Sequence, residues 1–423
     1  PKKPEVNSSM YISRPHLEKE LEREIYGTKH IIIYGDSGCG KSWLYKKVLS
    51  DLKVNYKVIN LASAARQQSI TQEFRSVLST AIPVQKIGYT EKKAAELSAG
   101  IAKGQVDHVA SYQIGARDPV EVLFEHMHSG SRMKTSVIVF ENLETIFDNQ
   151  KLMDELGNLI ILLDDERYAR FNVKFIIVGV PSGVVEYFSK VKNLLSISNR
   201  LSEVPEVSRL SEDQISTFVR TGLLDELNIR FGQGLFNLFE EHIAWVTNGF
   251  PQRLHEYCLV LSEMCEDNNW VANERFLYDA DIKWARKSHS KCVAVIDNIM
   301  NSKETTVGRR NQVLYTIAQI ETSTFTVSDV EKIIKREFPN STQDVNLNIS
   351  GTLRSISQYE YSPIKRTPKG NSWLFSDPAY LLCLRSILVK NSHEKVEKRS
   401  SHQKSRYNDL HSLHKQLHYF LLH

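Results

Sequence analysis

The sequence predicts a three-layer α/β domain on a parallel sheet, followed by an all-helical domain and a winged-helix domain. Three observations predict it. Between residues 10 and 208, short apolar runs rich in β-branched residues alternate with helical periodicities, the pattern of a parallel sheet covered by helices. From Ser211 through residue 300 the periodicity is helical throughout. Over residues 301–390, helical segments lead into two short strand-like segments flanking a turn.

The elements follow in order. Leu17, Leu21 and Ile25 recur at helical spacing and predict a short leading helix. His30-Ile31-Ile32-Ile33-Tyr34 reads as a buried strand, and Ser42 through Leu49 as the helix after it. Tyr56–Asn60 reads as a second strand, with Ile70, Phe74, Val77 and Leu78 marking the next helix. Residues 94–115 alternate loosely around Lys103-Gly104-Gln105 and read as an inserted β-hairpin, serving either as sheet extension or as a partner or DNA contact. Asp118 caps a helix that begins with Pro119 and buries Val120, Leu123, Phe124 and Met127. Ser136–Phe140 and Lys174–Gly179 are continuous apolar runs of the kind found in central parallel strands.

Ser211-Glu212-Asp213-Gln214 is a capping box that opens the all-helical domain, residues 209–300. Within it the periodicity breaks at Asn248-Gly249-Phe250-Pro251 and resumes through Leu254, Tyr257, Val260 and Leu261. In residues 301–390, helices around Val313–Ile320, Ser328–Ile334 and Val345–Ile356 precede a hairpin. Its turn is Thr367-Pro368-Lys369-Gly370-Asn371, and the whole makes a winged helix. Residues 391–423 form a basic, His-rich tail. Leu410, Leu413, Leu417 and Leu421 share one helical stripe there, with His411, His414 and His418 beside it. That segment reads as a solvated tail, an association helix, or a zinc-binding helix.

Between the first strand and its helix lies Gly35-Asp36-Ser37-Gly38-Cys39-Gly40-Lys41-Ser42, which fills every position of the phosphate-binding loop pattern G-x-x-x-x-G-K-[ST]. The glycines let backbone N–H groups turn inward around a phosphate chain at a helix N-terminus, which favours negative charge. Lys41 is positioned for the β- and γ-phosphates of ATP and the Ser42 hydroxyl for Mg²⁺. The run Val137–Phe140 ends in Glu141-Asn142-Leu143-Glu144. A carboxylate at that strand end is where a P-loop NTPase handles its metal, so Ser42 and Glu141 are the expected Mg²⁺ pair.

Composition narrows the classes. The 423 residues suggest more than one domain, and 41% hydrophobic with 25% charged residues describe a globular chain. No run approaches the roughly 18 apolar residues needed to span a bilayer, and no signal peptide is evident. The five scattered cysteines lack a C-x-x-C pair, so a reduced, cytoplasmic setting without structural zinc or disulfides is expected. A net charge of +4 permits nucleic acid without demanding it.

Taken together, these motifs resemble STAND and origin-recognition-type AAA+ ATPases over about residues 10–390. Tyr11-Ile12-Ser13-Arg14-Pro15-His16-Leu17-Glu18 is similar to that family's hydrophobic-hydrophobic-Gly-Arg-x-x-Glu element, with Ser13 in place of the glycine and the acid one residue late. The resemblance implies Glu141 as the Walker B acid and Glu144 as an assisting carboxylate. It also implies Ser182 near the sensor-1 position, Arg200 as an arginine finger for a neighbour's γ-phosphate or else a surface arginine, and a helical lid containing Pro251 near the adenine and Arg253 as sensor 2. Asn142 stands where the family often has a second acid, which implies slow hydrolysis. The implied function is an ATP-operated switch that acts on a protein partner or DNA, as in bacterial defence or mobile-element systems, with self-assembly into an oligomer. The alternative is a DNA-binding initiator or transposition-type loader using Arg354, Lys365, Arg366 and Lys369 of the winged helix.

Overall fold

A computed structural model describes residues 10–81, 117–129, 135–179, 194–300, 308–322, 324–367 and 370–399. The expected hairpin at 94–115 and the leucine–histidine segment beyond residue 400 lie outside the described residues. The chain divides into two compact units, Pro1–Ser208 and Arg209–His423. No helix among the described residues is long and apolar enough to cross a membrane.

The first unit is a five-stranded sheet, β1 (His30–Ile33), β2 (Tyr56–Asn60), β3 (Ser136–Glu141), β4 (Val173–Val178) and β5 (Leu201–Glu203), in the order β2-β3-β4-β1-β5. Every pairing is parallel, with Ile31 beside Ile176, Val139 beside Ile176 and His30 beside Leu201. β4 is buried along its whole length and β3 along all but its last residue, which explains their unbroken apolar runs. One face of the sheet presents Ile32, Ile138, Phe140, Phe175 and Ile177 to a core built from the helices Leu61–Gln67, Ile70–Ala81, Pro119–Ser129 and Gln150–Leu162. Phe140 and Phe175 meet edge-on at 4.9 Å in its middle. The alternate residues Ile31, Ile33, Val137 and Val139 are equally buried and point to the opposite face. The helices Pro15–Tyr26 and Lys41–Asp51 pack on each other, and the first of them also packs on β1. Buried Lys174 donates to the Glu24 and Gly27 carbonyls, closing the end of helix Pro15–Tyr26.

The second unit begins with the expected capping box, in which Gln214 N–H donates to Ser211 Oγ and Ser211 N–H to Gln214 Oε1. The helices Glu212–Arg220, Leu235–Thr247, Pro251–Asp267, Arg275–Ser288 and Ser290–Ile299 follow. Then come Arg309–Ala318, Val327–Glu337 and Ile349–Ser357, with a three-stranded antiparallel sheet of β6 (Thr324–Phe325), β7 (Ile364–Arg366) and β8 (Trp373–Phe375) in the order β6-β8-β7. Two further elements had no sequence expectation: the helix Pro378–Ile387 and the hairpin of β9 (Leu388–Lys390) with β10 (Val396–Lys398). Residues 391–399, expected as the start of the polar tail, are therefore part of the fold. Val396 joins the buried core, and the Arg399 guanidinium pairs with Asp281, which is fully buried. Asp281 also accepts from the Tyr257 hydroxyl at 2.8 Å and lies 2.9 Å from His242 Nε2.

Two expected outcomes follow from these buried groups. Arg399→Ala leaves the Asp281 carboxylate without its charged partner and should cost roughly 3–5 kcal/mol in denaturant unfolding, the range for breaking a buried pair. In the first unit, burial pushes the His30 imidazole down to about 4, and the Lys174 charge acts in the same direction. An unfolded histidine titrates near ~6.5. Between those values the unfolded chain binds a proton that the folded chain refuses, so His30 favours folding fully above pH ~6.5 and progressively less as pH falls toward about 4. His30 Nδ1 accepts from Phe175 N–H, and His30→Asn keeps an acceptor there. That variant should flatten the acid side of a melting-temperature profile.

Candidate functional site

The phosphate-loop sequence folds as strand, loop and helix because two backbone constraints agree. β1 delivers the chain to Gly35, whose φ is +147° and whose missing Cβ would lie 2.4 Å from the Val207 carbonyl oxygen. No other residue fits there. Gly40, with φ +92°, then caps the helix Lys41–Asp51 in the left-handed region without any side-chain cap. The helix is anchored from below by buried Leu44, Val48 and Leu49. Lys41 Nζ donates to the Gly35 carbonyl at 2.7 Å and the Asp36 carbonyl at 2.9 Å, so the ammonium lies over the loop. Burial pushes that ammonium below the usual lysine range, opposed by the charges of Glu144 and Asp36.

The end of β3 comes to the same place. Ser42 Oγ donates to Glu141 Oε1 at 2.8 Å, across 99 positions of sequence. The two residues expected to share a metal are thus within hydrogen-bond distance of each other. Asn142 follows with φ +62° and opens the 3₁₀ turn Leu143–Ile146, which carries Glu144 at the surface. Its amide donates to Asn60 Oδ1 at 2.9 Å, and Asn60 stands beside Glu141 in the β2–β3 register while its side chain caps helix Leu61–Gln67. An amide held in this way offers no proton acceptor comparable to a carboxylate.

Two contributors escaped the sequence reading. Tyr45, fully buried on the loop helix, donates its hydroxyl to Glu141 Oε1 at 2.8 Å. Arg14 donates to the Cys39 carbonyl at 2.8 Å and to the Ser208 carbonyl at 3.1 Å, tying the leading segment to the phosphate loop. Glu18, the acid displaced by one residue, accepts from Arg14 N–H at 2.6 Å and from the Tyr11 hydroxyl at 2.9 Å. Tyr11 in turn stacks on Trp43 of the loop helix at 6.5 Å. The residue types of that leading element were visible in the sequence; their contacts to the loop were not.

The other expected residues are not gathered there. Arg200 donates to Asp164 Oδ2 at 2.6 Å and to the Ser196 carbonyl. Its own carbonyl bonds His30 N–H, at the start of β1, whereas the phosphate loop follows the end of β1. Arg200 therefore lies at the opposite edge of the sheet from the loop of its own chain. In the second unit Pro251 opens helix Pro251–Asp267 after buried Phe250, and Arg253 pairs with Glu256 at 3.1 Å. Arg354 and Lys365 are exposed, while Arg366 bonds the Gly370 carbonyl and lies over the Trp373 ring at 4.9 Å. Ser182 and Lys369 lie outside the described residues.

Residues 23–188 match the AAA domain family. No curated protein matches the chain. Among solved structures, the fold is similar to the Walker-type ATPase PABY2304 of Pyrococcus abyssi. The TM-score is 0.52 at 15% identity, over 91% of this chain and 99% of that one. It is also similar to the ORC2 protein of Aeropyrum pernix in ADPNP–ADP complexes, with a TM-score of 0.50 at 11% identity, over 90% of this chain and 94% of that one. The first unit accordingly has a P-loop NTPase fold, and its residues 23–188 are similar to the AAA domain family.

Lys41→Ala removes the cation of the phosphate loop, the residue expected to meet the phosphates of ATP. It should weaken ATP binding by roughly 100-fold, the scale of a lost charge-assisted hydrogen bond in a protected site, with unchanged circular dichroism. Calorimetric titration checks it, and equal affinity in the folded variant would contradict the assignment.

Proposed function

We propose that this P-loop ATPase is a slow, nucleotide-operated switch of the STAND or origin-recognition type, acting on a protein partner or on DNA. The observation that carries the reading is the meeting of Ser42 and Glu141 at 2.8 Å, at the same phosphate loop whose Lys41 ammonium donates to the Gly35 carbonyl. A hydroxyl and a carboxylate are hard oxygen donors, the set that suits Mg²⁺ when it shares the phosphates of its substrate. Gly35 and Gly40, at φ +147° and +92°, give the loop the backbone path that lets N–H groups turn toward a phosphate chain. Ser42 and Glu141 would hold the ion, which when bound neutralises charge developing on the phosphoryl oxygens. Lys41 binds the same oxygens, and Glu144, whose charge is felt at Lys41, is the remaining carboxylate assigned to the site.

Slow turnover is supported by Asn142, whose amide is committed to Asn60 and cannot take a proton from attacking water. Arg200, facing away from its own loop, would act on the nucleotide of a second copy. A second reading, DNA contact by the second unit, is favoured by exposed Arg354 and Lys365 on helix Ile349–Ser357 and β7. It requires salt-sensitive binding of duplex DNA that weakens in Arg354→Ala/Lys365→Ala.

The expected turnover of the isolated protein lies well below the ~10 s⁻¹ typical of enzymes. Asn142→Glu should raise it and Glu141→Gln should lower it. Turnover near that typical value without a partner would contradict the switch. Sizing the protein with ADP, ATP and a slowly hydrolysed analogue, each with and without duplex DNA, should give different assembly states for the two nucleotides. Identical states throughout would leave the nucleotide a purely structural ligand.

A further inference from the structure

We propose that Tyr45 is a positioning residue for the Glu141 carboxylate, holding it so that one oxygen stays directed to the nucleotide-bound metal. This rests on the Mg²⁺–nucleotide reading given above.

Tyr45 follows Ser42 by three residues on helix Lys41–Asp51, so both hydroxyls project from one face toward the end of β3. Both donate to the same atom, Glu141 Oε1, each at 2.8 Å. Oε2 accepts no hydrogen bond from the described residues, and the side chain is only half-buried, so that oxygen is the one left to meet a ligand. The two donors are not equivalent. Ser42 is itself a metal ligand in this reading, so its hydroxyl must serve two partners. Tyr45 has Glu141 as its hydrogen-bond partner and is fully buried.

Its ring is also braced. Tyr56 on β2, the strand beside β3, meets it edge-on at 6.2 Å and 83°. A glutamate has one more rotor than an aspartate, and fixing such a side chain costs on the order of 1 kcal/mol if it must be done at binding. A phenol locked by packing does it beforehand, as outer-shell hydrogen bonds do for metal-ligating carboxylates in general.

The test is calorimetric titration of a slowly hydrolysed ATP analogue into the full chain, at a series of MgCl₂ concentrations and in EDTA. Tyr45→Phe keeps the ring and removes the hydroxyl. It should raise the Mg²⁺ concentration for half-maximal binding about 10-fold, the lower end for losing an outer-shell partner, and leave binding in EDTA unchanged. Glu141→Asp draws the carboxylate away from the phenol, so adding Tyr45→Phe in that background should have no further effect. Tyr56→Leu, which unbraces the ring but keeps the hydroxyl, should give a smaller rise and serves if Tyr45→Phe does not fold. A merely structural tyrosine would lower the melting temperature and leave the Mg²⁺ dependence as in the parent protein, and that result overturns the proposal. A parent protein whose nucleotide binding ignores Mg²⁺ overturns the functional reading as well.

Discussion

The nucleotide site depends on β1 being held from both sides. Its ladders to β4 and β5 fix Ile31, Ile32 and Ile33 in the middle of the sheet, and the Val207 N–H bonds the Tyr34 carbonyl just beyond them. The loop therefore leaves from a fixed point in a fixed direction, with room for nothing larger than glycine at position 35. Because every strand is parallel, the C-terminal end of β3 opens at the same edge, and Glu141 reaches Ser42 from the next strand but one. The chemistry at that edge follows from strand order and polarity before any side chain is considered.

What could be read from the sequence and what could not divides along the same line. β1, β3 and β4 announce themselves because burial on both faces forces an apolar run, and the phosphate loop because its glycines and Lys-Ser pair answer local backbone demands. The helix Gln150–Leu162 carries a buried stripe of Leu152, Met153, Leu156 and Ile160, a helical spacing present in the sequence though no element is expected there above. β5 has only three residues, too few for any periodicity, and is a strand because β1 offers it partners. Tyr45 looked like an ordinary helix residue and Asn60 like an ordinary strand end. Their roles lie in bonds to Glu141 and Asn142, 96 and 82 positions away, and such pairings leave no local pattern. The acid one residue late at Glu18 looked like a departure, but its carboxylate still secures the Arg14 backbone.

The second unit is held by arginines as well as by its apolar core. Arg385, 2% exposed, donates to the carbonyls of Ala318, Trp245 and Ile320 and lies over the Trp245 ring. Burial pushes its guanidinium down to about 10, still charged at neutral pH. One planar group thereby satisfies carbonyls at the ends of helices Leu235–Thr247 and Arg309–Ala318, a geometry that a lysine's single ammonium would not reproduce. The helical segment and the helix–strand segment of this unit are joined through that group, so neither is free to reorient while it stays in place.

Arg399 gives the unit a different property, one of order in time. Asp281 waits in the middle of helix Arg275–Ser288 for a partner that lies 118 residues later in the chain. A ribosome making this protein N-terminus first completes the sheet of the first unit at Glu203, and those strands can pair while synthesis continues. The second unit has no such option. Until residue 399 has left the exit tunnel, its buried carboxylate lacks the guanidinium that pairs with it and its last hairpin is missing. The second unit, from Arg209 onward, must stay unfinished until then. That interval, rather than any weakness of the finished fold, is when exposed apolar segments of the second unit would most need a chaperone's protection.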